Sequence, residues 1–347
     1  METTLPLSGL KVVELHAIGP VPYVGFLLRS LGASVQRVSP PVDPGLGVAR
    51  SPQFDVLNVG KEQLLVDLKT PDGQRTLHKS LATADVLLEG FRPGVLERLG
   101  LAPASLEERY PRLVIGRLSG WGSAGELAPR AGHDINYMAL TGVLNAIGTA
   151  QTPVPPLNLV ADFGGGAMHL LVGVLARLVR RSIDGQGGVA QTSILAGTVG
   201  LTPMFYGMLA EGRWSLTRGD NMLDGGAPFY RTYRCADGRF VAVGAIESKF
   251  YLQFLELVGL AGDIDPKLQH DQASWPETER RFAERFATRS RDEWAQIFAG
   301  SDACVSPVLD FNEAARHPHN LANRLYMNEP FVQPAPVIAF ERGGHSG

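Results

Sequence analysis

The fold is decided by residues 10–38, in which two short apolar stretches, LKVVEL (residues 10–15) and ASVQRV (residues 33–38), flank a helical pattern. Between them a Gly19-Pro20 breaker precedes residues 24–31, where apolar side chains recur with the period of an amphipathic helix. Parallel strands need a crossover connection of this kind. The stretch therefore predicts a βαβ unit, the opening of a doubly wound α/β sheet.

The same alternation continues downstream. Further strands are predicted over residues 64–68, 85–89 and 113–118, with helices over 70–81 and 103–109 and a long apolar helix over 167–181. Past residue 221 the pattern changes: residues 229–234 and 240–244 flank the turn Asp237-Gly238 and predict an antiparallel hairpin. Helices over 249–258, 278–287 and 291–298 follow, so we predict a second, smaller α+β domain.

Composition excludes several classes of protein. The 347 residues are 44% hydrophobic and 19% charged, which is typical of a folded protein with a buried core. A net charge of −3 provides no general basic field, so we expect no nucleic-acid partner. Cys235 and Cys304 lack a metal-ligand spacing, which favours a reducing, cytoplasmic location and no metal site. The N-terminal residues do not resemble a secretion signal and no uninterrupted 18-residue apolar run occurs, so we expect no membrane span.

Two motifs of the first domain contain groups that can move protons. In GHDINY (residues 132–137) His133 is a candidate acid or base, because histidine titrates near neutrality; the alternative is a structural histidine. Asp162 precedes the glycines at 164–166, which we interpret as a loop that opens the long helix. Free amides there would hold a developing oxyanion beside the carboxylate, unless Asp162 is only a helix cap.

Further charged residues occupy strand ends. Glu247 lies at a strand-to-helix junction, where it either orients an imidazole or simply favours the start of the helix. Four cations, Arg37, Lys61, Lys69 and Arg92, follow successive strands, where an open parallel sheet binds phosphates; a solvated face is the alternative. The sequence has no GxGxxG, Walker or GxSxG motif, which disfavours a Rossmann dehydrogenase and a serine hydrolase.

Taken together, these stretches resemble the family III CoA-transferase superfamily (CaiB/BaiF type), and within it the acyl-CoA racemases. The matching stretches are residues 10–15, 91–100, 132–137, 157–163, 220–230, 303–309 and 313–319. HDINY at residues 133–137 and NMLDGG at residues 221–226 are the specific part of the match, whereas the N-terminal stretch is shared across the superfamily.

The resemblance implies a Rossmann-like large domain (1–195), a linker (196–225), a small α+β domain (226–325) and a C-terminal segment (326–347) that returns toward the large domain. Two chains would form an interlocked homodimer, with each active site between the large domain of one subunit and the small domain of the other. His133 and Asp162 would transfer protons, with Glu247 hydrogen-bonded to His133 and Asn158 nearby. The CoA thioester would be lined by Arg37, Val66, Asp67, Leu68, Lys69, Arg92, Gly132, Asp134, Asn136 and Tyr137.

Two departures from the family pattern stand out. Ser39-Pro40 replaces an Asp-Arg pair, so a phosphate contact is expected to be missing or replaced. The chain also ends soon after Pro334-Ala335-Pro336, where relatives continue, which suggests an altered closure of the interlock.

The resemblance leads us to expect a racemase or epimerase that inverts the α-carbon of 2-methyl-branched acyl-CoA thioesters, with no cofactor beyond the CoA of the substrate. Two alternatives remain open: a CoA transferase in which Asp162 is a covalent nucleophile, and an inactive CoA-binding or scaffold protein.

Overall fold

A six-stranded parallel sheet organises the first of two units in the computed structural model, which describes residues 5–48, 51–338 and 340. This unit comprises residues 1–144, 155–204 and 338–347. Its strand order is β3-β2-β1-β4-β5-β6, with bounds β1 Lys11–Leu15, β2 Ser34–Ser39, β3 Glu62–Leu65, β4 Val86–Glu89, β5 Val114–Ser119 and β6 Gly188–Ser193. The order reverses between β1 and β4, which is where doubly wound sheets bind ligands. The predicted α/β class is confirmed for this unit.

Helix α1 (Pro20–Ser30) is the crossover between β1 and β2. It begins four residues earlier than the apolar period predicts, because Pro20 is the first helical residue and its fixed φ suits that position. Gly19 precedes it with φ +66°, a conformation that favours glycine. Val21, Val24 and Leu28 are buried against the sheet, so α1 is held by its apolar face.

The remaining helices of this unit cover the two faces of the sheet or follow its strands. They are α2 Pro71–Leu81, α3 Val95–Arg98, α4 Pro103–Arg109, α5 Asp134–Leu140, α6 Val143–Ala146, a π-helix Leu159–Ala167, α7 Met168–Asp184, α8 Ile194–Val199 and α9 Pro203–Ala210, with a short 3₁₀ turn at Pro52–Phe54. The last residues of α6 and α9 belong to the second unit.

The glycines at 164–166 are helical, which corrects the predicted loop. The π-helix begins at Leu159 and continues into α7 without a break, so Asp162 lies in its first turn and Asn158 holds the cap position. Glycine is required there by packing: a Cβ on Gly165 would lie 2.7 Å from the backbone nitrogen of Thr198 in α8. The close approach of α8 therefore explains Gly165 and also Gly166, where a Cβ would lie 3.0 Å from the Ile194 side chain.

Leu159–Asp184 is the one described stretch that is long and apolar enough to cross a membrane by length and composition. Leu170, Leu171 and Val174 are buried, and α7 packs against β5 and β6. Core helices of soluble proteins meet the same criterion. The packing against β5 and β6 explains why the side of α7 that faces the sheet is apolar.

The second unit, residues 145–154 and 205–337, contains a three-stranded antiparallel sheet. Its order is β7-β8-β9, with bounds Tyr230–Arg234, Phe240–Gly244 and Val305–Pro307. Helices and turns surround it: α10 Ser248–Val258, 3₁₀ turns Pro266–Leu268 and Gln272–Ser274, α11 Trp275–Phe286, α12 Arg291–Phe298, α13 Phe311–Arg316 and α14 Pro318–Ala322. A two-stranded ribbon follows, β10 Tyr326–Met327 with β11 Gln333–Pro334.

The predicted hairpin is confirmed, with Arg231 opposite Val243 and Tyr233 opposite Val241. Buried aromatic rings of α10, α11 and α12 form the core of this unit. The segment 196–225, predicted as a linker, contains α9 and most of α8, and the division between units falls between residues 204 and 205. The predicted domain bounds stay a prediction.

Candidate active site

The candidate proton carriers of the first unit lie at the starts of two helices in the segment between β5 and β6. His133 comes after β5 as the N-cap residue of α5, with extended backbone angles. Its N–H donates to Oδ1 of Asn136, 3.1 Å away, so Asn136 caps the start of the helix. The His133 side chain is exposed, and it is therefore available to a ligand.

Asp134 and Asp162 are joined through the backbone. Oδ1 of Asp134 accepts a hydrogen bond from the N–H of Asp162 at 2.7 Å, and its carboxylate also accepts the N–H of Ala161. Asp134 is 7% exposed. Its burial and its two amide partners are typical of a residue that supports its neighbours, and the expectation that it lines the CoA site stays a prediction.

The Asp162 carboxyl has an unusual proton affinity. Burial, and next the negative charge of Asp134, raise its pKa from 3.8 to about 6, although a hydrogen bond from Asn158 and the nearby His133 act in the opposite direction. A carboxyl with this pKa exchanges protons readily near neutrality, which is typical of a catalytic acid or base. Asn158 and His133 thus lie close enough to Asp162 to influence its charge.

Tyr137 and Gly19 form part of the surroundings of Asp162. Tyr137 is buried and donates its hydroxyl proton to the carbonyl of Gly132 at 2.5 Å; burial and the charge of Asp162 raise its pKa. A Cβ on Gly19 would lie 3.3 Å from Oδ2 of Asp162. The loop before α1 therefore approaches the carboxylate closely, and a side chain at residue 19 would crowd it.

The amides after Asp162, expected to hold an oxyanion, lie inside the π-helix, where N–H groups bond to carbonyls five residues earlier. The Met168 N–H, for example, is bonded to the carbonyl of Phe163. The amides of Ala161 and Asp162 are taken by Asp134. The helical continuation of the glycine segment thus removes the predicted oxyanion donors.

The predicted phosphate-binding cations divide into exposed and buried groups. Arg92 and Lys69 are exposed at the ends of β4 and β3, and Nη1 of Arg92 donates to the carbonyl of Pro129 at 3.4 Å. Of the neighbours of Lys69, Asp67 is exposed and Val66 and Leu68 are half-buried. Oδ1 of Asp67 accepts the N–H of Lys69 at 2.9 Å, which shapes the turn into α2.

Lys61 is not available to a ligand, which corrects the sequence-based suggestion. Its Nζ lies 2.7 Å from Oε2 of Glu14, and both side chains are fully buried. Further hydrogen bonds run to the carbonyl of Pro22 and to Oδ1 of Asn58. The pair is a structural element of β1, since a buried charge requires such partners.

Arg37 is half-buried within β2, two residues before the strand ends, and sequence reasoning did not identify its partner. Its Nη2 lies 3.0 Å from Nδ1 of His16, which follows β1, and Ser39 Oγ lies 3.4 Å from the same nitrogen. Burial and next the charge of Arg37 lower the pKa of His16. His16 therefore stays neutral and accepts from Arg37, and Ser39, one of the two departures from the family pattern, is part of this cluster.

Glu247 belongs to the second unit, where it is the exposed N-cap residue of α10. The backbone just before it is held by Gln269, whose Nε2 donates to the carbonyls of Ala245 and Ile246 at 3.0 and 2.9 Å. Gln269 is 4% exposed. Sequence reasoning missed Gln269, because no motif links it to a strand end 24 residues away. The expected bond from Glu247 to His133 stays a prediction.

Comparison with known proteins agrees with the sequence resemblance. The model of CoA-transferase family III matches residues 7–341. The mouse alpha-methylacyl-CoA racemase is 44% identical and the human one 43% identical over 338 residues, which is 96% of this chain and 86% of each relative. A crystal structure of a CaiB/BaiF family protein from Brucella suis has the same fold, with a TM-score of 0.79, 23% identity and coverage of 97% of this chain and 93% of that one. The chain therefore belongs to CoA-transferase family III, and its similarity to racemases of that family identifies it as an isomerase.

Proposed function

We propose that the protein inverts the α-carbon of 2-methyl-branched acyl-CoA thioesters by moving protons between that carbon and two side chains, His133 and Asp162. The observation that carries the proposal is the proximity of a histidine and a carboxyl whose pKa is about 6. The alpha-methylacyl-CoA racemases among the relatives support the substrate class.

The chemistry requires two proton carriers. One base removes the α-proton, the C–H electron pair moves into the thioester carbonyl to give an enolate, and the other group returns a proton to the opposite face. For the reverse direction the roles exchange, so each group must hold a proton in one half of the cycle. A carboxyl whose pKa is about 6 meets this requirement, and histidine is the side chain that most often transfers protons in catalysis.

Other residues take supporting roles in this proposal. Asn158 donates to the Asp162 carboxylate, and Glu247 orients His133. The path of CoA and its thioester is lined by Arg37, Arg92, the segment Val66, Asp67, Leu68 and Lys69, and the residues Gly132, Asn136 and Tyr137. CoA enters as part of the substrate, and we propose no further cofactor, no nucleic-acid or membrane partner, and a cytoplasmic location.

We also propose that two chains form the interlocked homodimer typical of the family. An apolar stripe on the exposed side of α7 supports this: Met168, Val172, Val179 and Ile183 are 41–73% exposed and recur at intervals of four and seven residues. This spacing places them on one helix face, and a face of this kind is stabilised when another chain covers it. Light scattering at high dilution tests the proposal; a stable, active monomer would contradict it.

Deuterium exchange tests the proposed reaction. Purified protein in D₂O should exchange the α-proton of a 2-methylacyl-CoA with no added carboxylic acid, and either enantiomer should give a mixture of both. Exchange that requires an added carboxylic acid as acceptor would instead indicate a transferase in which Asp162 attacks the thioester. Binding of branched acyl-CoA without any exchange would indicate the scaffold alternative.

A further inference from the structure

We infer that Asp134 is a positioning residue for the reaction: its carboxylate joins the start of the π-helix to the start of α5 and thereby fixes Asp162 relative to His133. This inference rests on the proposed function, since it concerns the two proton carriers named there. Asp134 is adjacent to His133 in sequence, and its Oδ1 lies 2.7 Å from the Asp162 nitrogen.

The geometry makes Asp134 a bridge between two elements. It is the first residue of α5, whose N-cap is His133, and it accepts the N–H groups of Ala161 and Asp162 in the first turn of the π-helix. Those N–H groups have no partner within their own helix. One buried carboxylate therefore satisfies two amides and ties the backbone of each proton carrier to the other.

The two carboxyl groups also differ in their hydrogen-bond partners. Burial raises the pKa of Asp134, but two backbone N–H groups stabilise its ionised form and limit that rise, whereas Asp162 receives only a side-chain amide from Asn158. An ionised Asp134 raises the pKa of Asp162 toward neutrality, because two like charges close together disfavour ionisation of both. Asp134 thus both positions Asp162 relative to His133 and raises the pKa of Asp162.

Two variants of Asp134 separate these effects. Asp134→Asn keeps an oxygen acceptor and removes the charge, whereas Asp134→Ala removes both. Asp237→Asn is a matched control, because Asp237 also accepts two backbone amides, from Arg239 and Arg291, in the second unit. Each variant is assayed by deuterium exchange from both enantiomers between pH 4.5 and 9.

Asp134→Asn should move the acidic limb of the kcat/KM profile down by about one pH unit. It should also slow exchange from the enantiomer for which His133 is the base more than from the other, because protonated Asp162 becomes rarer. Asp134→Ala should lower kcat by about 10–100-fold with little change in KM. Asp237→Asn should leave the profile unchanged. An unshifted profile and an unchanged enantiomer ratio in Asp134→Asn would overturn the inference.

A stability measurement tests the same inference independently of catalysis. Replacing Asp162 with Asn should stabilise the protein more at pH 8 than at pH 4, and this gain should fall by about half or more when Asp134 is already Asn. An equal gain in both backgrounds would refute the role of Asp134 even if the racemase activity is present. A reduced gain would support it even if no exchange is found.

Discussion

Asp162→Asn should make the protein more stable while removing a proton carrier. The pKa of Asp162 is raised from 3.8 to about 6 in the folded state, so the folded state binds more protons than the unfolded chain between these two values. The free energy of unfolding therefore falls as pH rises through this window, and above pH 6 the full cost of burying an ionised Asp162 is present. Asparagine has no charge to bury, so the variant avoids this cost.

The magnitude follows from the shift. The pKa of Asp162 is raised by slightly more than two units. The free energy of unfolding should therefore rise in Asp162→Asn by at most about 3 kcal/mol at pH 8 and by about 0.5 kcal/mol at pH 4. For a unit of this size the gain at pH 8 corresponds to roughly 5–10 °C in melting temperature. Circular dichroism melts at pH 4 and pH 8, at one scan rate, measure the difference. Glu108→Gln removes an exposed carboxylate of α4 and serves as the control, with the same small effect at both pH values. A variant that melts at or below the wild-type temperature at pH 8 would refute the electrostatic reasoning.

Three further predictions concern the roles of single residues. His133→Ala and Asp162→Ala should show opposite enantiomer preferences in deuterium exchange, each losing about 10²–10⁴-fold in its weaker direction; equal, small losses would contradict the two-base assignment. Lys61→Met should lower the free energy of unfolding by about 3–5 kcal/mol in urea titrations, because it leaves Glu14 charged and buried, and the double variant with Glu14→Leu should recover part of the loss. Leu157→Gly should stabilise the fold by about 1 kcal/mol in the same titrations, because Leu157 has φ +59° beside Asn158; a loss of stability would show that the exposed leucine side chain contributes more than its backbone strain costs.

Much of the first unit could be predicted from local patterns. The strands over residues 10–15 and 33–38 and the helix between them follow from apolar periodicity and from the Gly19-Pro20 breaker, and each lies within a few residues of its predicted bounds. The candidate residues His133 and Asp162 were identified from their motifs. Those motifs identify the residues but do not predict their burial or their neighbours, which depend on residues distant in the sequence.

Other features depend on tertiary packing, and for this physical reason the local sequence does not predict them. Three consecutive glycines have a low helix propensity, so sequence alone predicts a loop at residues 164–166. Their helical state is favoured by the close packing of α8 on the π-helix, which leaves no room for a side chain on Gly165. Likewise, the sequence shows Lys61 as one of several cations after strands, and only the fold places Glu14 beside it.

The sequence by itself determined the alternation of strands and helices, the hairpin of the second unit, the family and the two groups that can carry protons, because these depend on residues close together in the chain or on motifs. The tertiary structure alone decided which charges are buried, which amides Asp134 occupies and how strongly Asp162 holds its proton. Those properties depend on the burial and spacing of groups far apart in sequence, and the free energy of a charge is set by the neighbours that folding brings to it.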